Sequence, residues 1–184
     1  MRTSVAILFF VIAMIQATFC AAQENDDLKH NWKQERGNGE IRFISKYPAP
    51  IPFSITGEPE AIIIMNSEKL SPVKDSLSKI INFEIQEIRK GTQIDEYLED
   101  DGHKPDKGIT TYIEEINGTK VGFIKYRGAG VIGKPPVMPR TAIHGIFIKN
   151  DHIYFVHLIV LFAGHQEEVR ADQLTIIKGL IGTL

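Results

Sequence analysis

The chain of 184 residues contains a single cysteine, Cys20, and it lies within an N-terminal apolar segment. With that segment removed the protein has no thiol, which excludes disulfides, a cysteine nucleophile and a cysteine metal site. An excess of basic charge is also lacking: 21 Lys and Arg stand against 23 Asp and Glu, a formal charge of −2. With no basic block in the chain, nothing points to nucleic acid as a partner. Apolar runs long enough to cross a membrane, about 20 residues, are missing as well. The N-terminal apolar centre, residues 5–15, is too short, and residues 153–162 have a strand's length and contain His157. Serine hydrolase chemistry lacks its G-x-S-x-G elbow. Ser45, Ser54, Ser67, Ser71, Ser76 and Ser78 each stand outside such a motif, with no histidine tied to them.

What is present begins at the N-terminus. Arg2, the apolar residues 5–15 and the small pair Ala21-Ala22 before a polar QENDD have the layout of a secretory signal peptide. The expectation is export, periplasmic or secreted, with cleavage near Ala22. Lipidation at Cys20 would need a small residue where Phe19 stands. Loss of Arg2 would leave 20 basic against 23 acidic residues, a charge near −3. The remaining residues, about 160, suffice for one domain with its own core.

Residues 23–58 read as a polar leader, containing the only tryptophan, Trp32, followed by the proline-rich YPAPIP of residues 47–52. Three prolines in five positions remove backbone donors and forbid a central strand there. Residues 60–66, EAIIIMN, form a continuous apolar run of strand length. Ser71 and Pro72 are helix-start signals. Val73, Leu77, Ile80, Ile81, Ile85 and Ile88 then recur at helical spacing up to Gly91. Residues 93–107 are acidic and turn-rich. As a calcium loop they fail: counted from Asp95 the sixth residue is Asp100 and the twelfth is Asp106, where glycine and glutamate are required.

From Ile109 the pattern is β. Asn117-Gly118 suits a type I′ turn joining residues 109–116 to 119–126. With Thr119 it is also a glycosylation sequon. Asn150-Asp151 joins residues 141–149 to 152–162 in the same way. Residues 164–184 read as a helix with Val169, Gln173, Ile176, Ile177, Leu180 and Ile181 on one face and Glu167 and Glu168 near its start, where acidic groups suit the helix dipole. The order predicts an α+β domain over residues 59–184, an antiparallel sheet of about five to six strands with helices packed on it.

Between the two hairpins lies RGAGVIGKPP, residues 127–136, which fits the G-x-G-x-x-G spacing and most of a P-loop. Both mechanisms require a helix to begin at the last glycine, so that its free N–H groups meet the phosphate. Pro135, Pro136 and Pro139 oppose that helix, and only seven residues separate Gly133 from Thr141. A glycine- and proline-rich connection is expected instead, with no nucleotide and no cofactor. Arg127, Lys134 and Arg140 would make a basic rim on it for a protein partner.

These elements resemble the PsbP-like α/β/α sandwich family, which includes the extrinsic photosystem protein and DcrB-type exported bacterial proteins. The resemblance covers residues 60–184 and rests on the hairpin INGTKVG, the strand pair ending HIYFVHLIVLF and the helix ending LIGTL. The family often carries Pro-x-x-Trp near its first strand, and YPAPIP has no tryptophan. The resemblance implies a scaffold that binds other proteins without catalysis, and it transfers no catalytic residue.

Histidines are the remaining chemical groups. If Asn150-Asp151 is a two-residue turn, Lys149 pairs with His152, and His144 falls opposite His157 on one face. Two imidazoles could serve a metal, although no third ligand has a spacing set by sequence. Two readings follow: an exported, non-catalytic binding or accessory protein that acts on a protein partner through Arg127, Lys134 and Arg140, or a metal-binding protein or metal-dependent enzyme built on His144 and His157.

Overall fold

The computed structural model describes residues 32–37, 40–46, 61–95, 106–133, 140–160 and 166–184. The expected signal peptide, Cys20, YPAPIP, most of the acidic segment and Lys134 lie outside them. Among the described residues ten elements follow in order: strands β1 (Trp32–Gly37), β2 (Glu40–Ser45) and β3 (Ala61–Lys69), helix α1 (Leu77–Gly91), strands β4 (Thr92–Ile94), β5 (Ile109–Ile116), β6 (Thr119–Val131), β7 (Arg140–Lys149) and β8 (His152–Val160), and helix α2 (Gln166–Thr183). The protein is α+β, with one antiparallel sheet ordered β1-β2-β3-β8-β7-β6 and with both β4 and β5 paired to β6.

Eight described strands exceed the five or six expected, and the additions have separate causes. Strand β2 alternates cleanly, burying Ile41, Phe43 and Ser45 while Glu40, Arg42 and Ile44 face the other way, a period-2 pattern that its sequence does carry. Strand β1 carries no such pattern, because only Trp32 is buried. It is held by its register on β2 and by the Trp32 indole, which donates to Asp172 Oδ2 of α2 at 2.7 Å. Its remaining side chains are charged or polar, as suits an edge strand. Residues 32–37 and 40–45, read above as part of a leader, are thus part of the sheet. Strand β4, three residues long, is too short for any periodicity.

Helix α1 starts later than Ser71-Pro72 indicates. Residues 71–74 close a separate turn in which Lys74 N–H donates to Ser71 O at 3.0 Å, and Val73 is 76% exposed. Ser76, in extended conformation, is the residue before the first helical turn. The apolar face then runs as expected, with Ile80, Ile81 and Ile88 buried and Arg89 and Lys90 in the last turn, where cations suit the helix dipole. Both two-residue turns have the expected chemistry. Asn117 and Gly118 have φ of 48° and 74°, and Asn150 and Asp151 have 49° and 58°, the double left-handed geometry of type I′.

The glycine-rich stretch corrects a further expectation. Strand β6 continues through Arg127 to Val131, with Gly128 opposite Arg140 on one side and opposite Ile94 on the other. Gly128 and Gly130 therefore belong to a strand and not to a loop, and the turn comes only at Gly133, φ 81°.

Strand alternation sends two sets of side chains to opposite faces. Val121, Phe123, Phe147, Tyr154, Val156 and Leu158 join the buried face of α2, together with Ile41, Phe43, Ile63 and Met65 from β2 and β3. Ile124, Ile146, Ile153 and Phe155 join the buried face of α1, whose cluster takes no residue from β1, β2 or β3. Helix α2 thus spans the sheet, whereas α1 covers its β5–β8 side.

A polar network fixes α2. The wholly buried Gln173 donates from Nε2 to Ile143 O at 2.9 Å and to Val156 O at 2.7 Å, and its Oε1 accepts from Arg170. Arg170 also donates to Tyr112 Oη at 2.9 Å and lies 4.3 Å over the Phe123 ring. Gly145 permits this approach, since a Cβ there would stand 2.7 Å from Ile177 Cδ1 and 3.2 Å from Phe123 Cε1. Replacing Gly145 with Ala should therefore cost about 1–3 kcal/mol of overpacking. Urea unfolding will show it as a lower midpoint at unchanged slope, and an unaltered midpoint would contradict the packing described.

Candidate functional site

The Asn150-Asp151 turn decides the site's geometry. It pairs Lys149 with His152, and in a two-residue hairpin that flanking pair is hydrogen-bonded. Pair types alternate from there, so the sixth pair, His144 with His157, is non-hydrogen-bonded, the type whose side chains approach most closely. The ring centroids are 4.1 Å apart, edge to face at 81°. The opposition inferred from turn chemistry is therefore present.

The pair lies on the α1 face of the sheet, at the margin of what α1 covers. Phe155 stacks beside His157 with centroids 5.6 Å apart. Tyr126 meets His144 edge-on at 5.4 Å, its Oη 3.4 Å from Nε2. Across the neighbouring ladders, Ile124 opposes His144 and Ile64 opposes His157. In these apolar surroundings the Nδ1 atom of each histidine is buried and has no hydrogen-bond partner.

Burial therefore dominates the electrostatics. It holds His144 well below the usual imidazole range, with the neighbouring His157 acting in the same direction. It pushes His157 down to about 4 against the opposing pull of Glu40. Tyr126 is pushed up to about 12, chiefly by burial and then by Glu84. Glu84 is itself raised by burial, against the pull of Lys74 4.0 Å away. At neutral pH the site thus contains two neutral imidazoles and a neutral phenol, which can accept or donate hydrogen bonds or offer lone pairs to a cation.

Other expected residues separate. His152 Nδ1 lies 2.9 Å from the carbonyl of Asn150, away from the pair. Arg127 and Arg140 do not form one rim: Arg140 opposes Gly128 and Arg127 opposes Thr141, so strand alternation sends the two side chains to opposite faces. Arg127 also pairs with Asp95, Nε to Oδ2 3.6 Å, and its carbonyl accepts from Asp95 N–H at 2.7 Å. Among the described residues no group of three or more His, Cys, Asp or Glu could hold a metal, and no helix is long and apolar enough to cross a membrane.

Tyr126 was missed by sequence reasoning, although a signal for it exists. It lies two positions beyond Ile124, which opposes His144, and a diagonal neighbour of that kind is within reach of an aromatic side chain.

No protein-family model and no curated protein matches the chain. Among solved structures it is similar to PA94 from Pseudomonas aeruginosa, a protein of unknown function, at 9% identity over 80% of this chain and 94% of that one, TM-score 0.45. It is also similar to the Saccharomyces cerevisiae Ran-binding protein Mog1p, at 11% identity over 83% of this chain and 82% of that one, TM-score 0.43.

A pH dependence follows from the histidine pair. A histidine whose folded value lies below its unfolded value of 6.5 adds no pH dependence well above 6.5, where neither state binds the proton. As pH falls below 6.5 the unfolded state takes up the proton first, and stability is lost until the folded value is reached. For His157 the window runs from about 6.5 to about 4, with a loss on the order of 2–3 kcal/mol. Urea midpoints measured in chelator between pH 7 and pH 4.5 should fall, and the fall should be shallower in the His144→Asn, His157→Asn double variant. Equal slopes in the two proteins would contradict this account.

Proposed function

We propose that the protein is an exported, non-catalytic binding or accessory protein that acts on a protein partner in the cell envelope or outside the cell. The observation that carries this reading is the β1–β3 side of the α1 face. Ile44, Ile62, Ile64 and Ile159 are only half-buried there, in register with one another and with the histidine pair. Around them lie the Lys33–Glu35 and Arg42–Glu40 ion pairs. An apolar centre with a charged margin is the anatomy of a protein interface. The contact surface is accordingly moved from the rim of Arg127, Lys134 and Arg140 to this strip, because Arg127 is engaged by Asp95 and faces away from Arg140.

The finer fold reading, a PsbP-like α/β/α sandwich, belongs to the same proposal. Its support is one helix on each face of the sheet among the described residues, together with the resemblance carried by INGTKVG and the C-terminal helix. Export rests on the N-terminal pattern of Arg2, the apolar segment and Ala21-Ala22.

Two measurements test the reading. Cross-linking in intact cells of the native host should recover one specific protein partner. Ile62→Asp or Ile64→Asp should reduce its recovery at least tenfold in a protein whose circular dichroism is unchanged, while Arg127→Ala should leave it bound. Recovery that survives both isoleucine variants would overturn the assignment. N-terminal sequencing of the protein outside the cytoplasm should begin at Gln23, and an intact Met1 on cytoplasmic protein would overturn export.

A further inference from the structure

The two edges of the sheet differ in what they offer a neighbour. At one, β1 carries Lys33, Gln34, Glu35 and Arg36, charged and polar groups of the kind that discourage further pairing. At the other, β5 pairs only with β6 among the described residues. It keeps an unbroken register over its eight residues and is rich in β-branched side chains, which suit a ladder. Short length, lysine, proline and bulges, the usual protections of an edge, are absent from it.

Turn chemistry settles which backbone groups of β5 point outward. Ile116 and Thr119 flank the two-residue turn at Asn117-Gly118, so they form a hydrogen-bonded pair, and pair types alternate from there. Ile109, Thr111, Ile113 and Glu115 therefore direct N–H and C=O away from β6. Ile109 bears this out: its carbonyl accepts from Asp106 N–H at 2.7 Å, and its N–H donates to Asp106 O at 3.1 Å. That turn also seals the Ile109 end of the edge. The outward N–H and C=O groups of Thr111, Ile113 and Glu115 have no partner among the described residues. Alternation places these three side chains on one face, and all are exposed, Ile113 by 54%.

A second copy of the same strand satisfies these groups together. In an antiparallel pair about a two-fold axis at Ile113, that residue opposes its own equivalent and Thr111 opposes the partner's Glu115. Each such pairing exchanges both hydrogen bonds. Charge favours this register, because the partner's Tyr112 faces Glu114 and no carboxylate faces another. A register centred on Glu114 would set that carboxylate against itself, which is destabilising. One centred on Tyr112 would place Glu115 opposite Ile109, whose outward groups are already taken by Asp106.

We infer that the protein forms a two-fold dimer in which the β5 strands of two copies pair antiparallel about Ile113 and join the two sheets edge to edge. The contact lies at the opposite end of the strand order from β1–β3, so it neither requires nor blocks the isoleucine strip.

Sedimentation equilibrium of the full chain in reductant, over a hundredfold range of concentration, should report a dimer that dissociates on dilution. Ile113→Pro removes an outward donor and leaves the β6 ladder complete, a position where an edge strand tolerates proline. It should raise the dissociation constant at least tenfold, whereas Ile64→Asp on the strip should leave it unchanged. In a Cys20→Ser background, Ile113→Cys should be captured as a disulfide-linked dimer under mild oxidation. A hydrogen-bonded pair sets its Cα atoms about 5.5 Å apart, within disulfide reach. Thr111→Cys should run as a monomer on the same non-reducing gel, since the register holds its two copies about 14 Å apart. A chain monomeric at every concentration, a dimer indifferent to Ile113→Pro, or capture at residue 111 equal to that at 113 would overturn the inference. The cysteine comparison decides the matter even if the proline variant fails to fold.

Discussion

The register of the β7–β8 hairpin is the constraint on which the rest of the structure depends. A two-residue turn at Asn150-Asp151 leaves no freedom in pairing, and a slip of one residue would exchange the faces of every side chain on both strands. With the register in place, Phe147, Tyr154, Val156 and Leu158 face α2 while Ile146, Ile153 and Phe155 face α1. The neighbouring strands follow, because β3 pairs along the whole of β8 and β6 pairs with β7. The same register leaves Gly145 beneath α2, where the amide of Gln173 reaches two strand carbonyls.

Unequal coverage by the two helices makes the two faces of the sheet different. Helix α2 is tied down by Gln173, Arg170 and the Trp32–Asp172 bond, and its cluster draws on nearly the whole sheet. Helix α1 stops short of β1–β3. The histidine pair lies at that boundary, dry enough to be held neutral, while the isoleucines beyond it are half-buried.

Much of this was legible from local pattern. The helical face of α2, both type I′ turns and the opposition of His144 and His157 depend on interactions between residues close in sequence, so spacing and turn chemistry reach them. The start of α1 was misread because Ser71 and Pro72 suit a helix start, yet they close a separate turn before Ser76. Strand β1 left no trace because its stability comes from a neighbour's backbone and from an indole whose partner is 140 positions away. Residues 127–131 differ from the expected loop because glycines suggest a turn, whereas backbone pairing of β6 with β4 and β7 holds Gly128 extended and keeps Gly130 in the strand.

By itself, the sequence determined the α+β class, the absence of disulfide chemistry after residue 20, the two hairpins and the opposition of His144 and His157. These follow from composition and from periodicities of 2 and 3.6, which are local. Only the tertiary structure decided that residues 32–37 and 40–45 join the sheet, that Arg127 and Arg140 point to opposite faces, and that α1 leaves part of its face uncovered. Those outcomes depend on which strand lies beside which and on where a helix ends over a sheet, long-range pairings that no local spacing encodes.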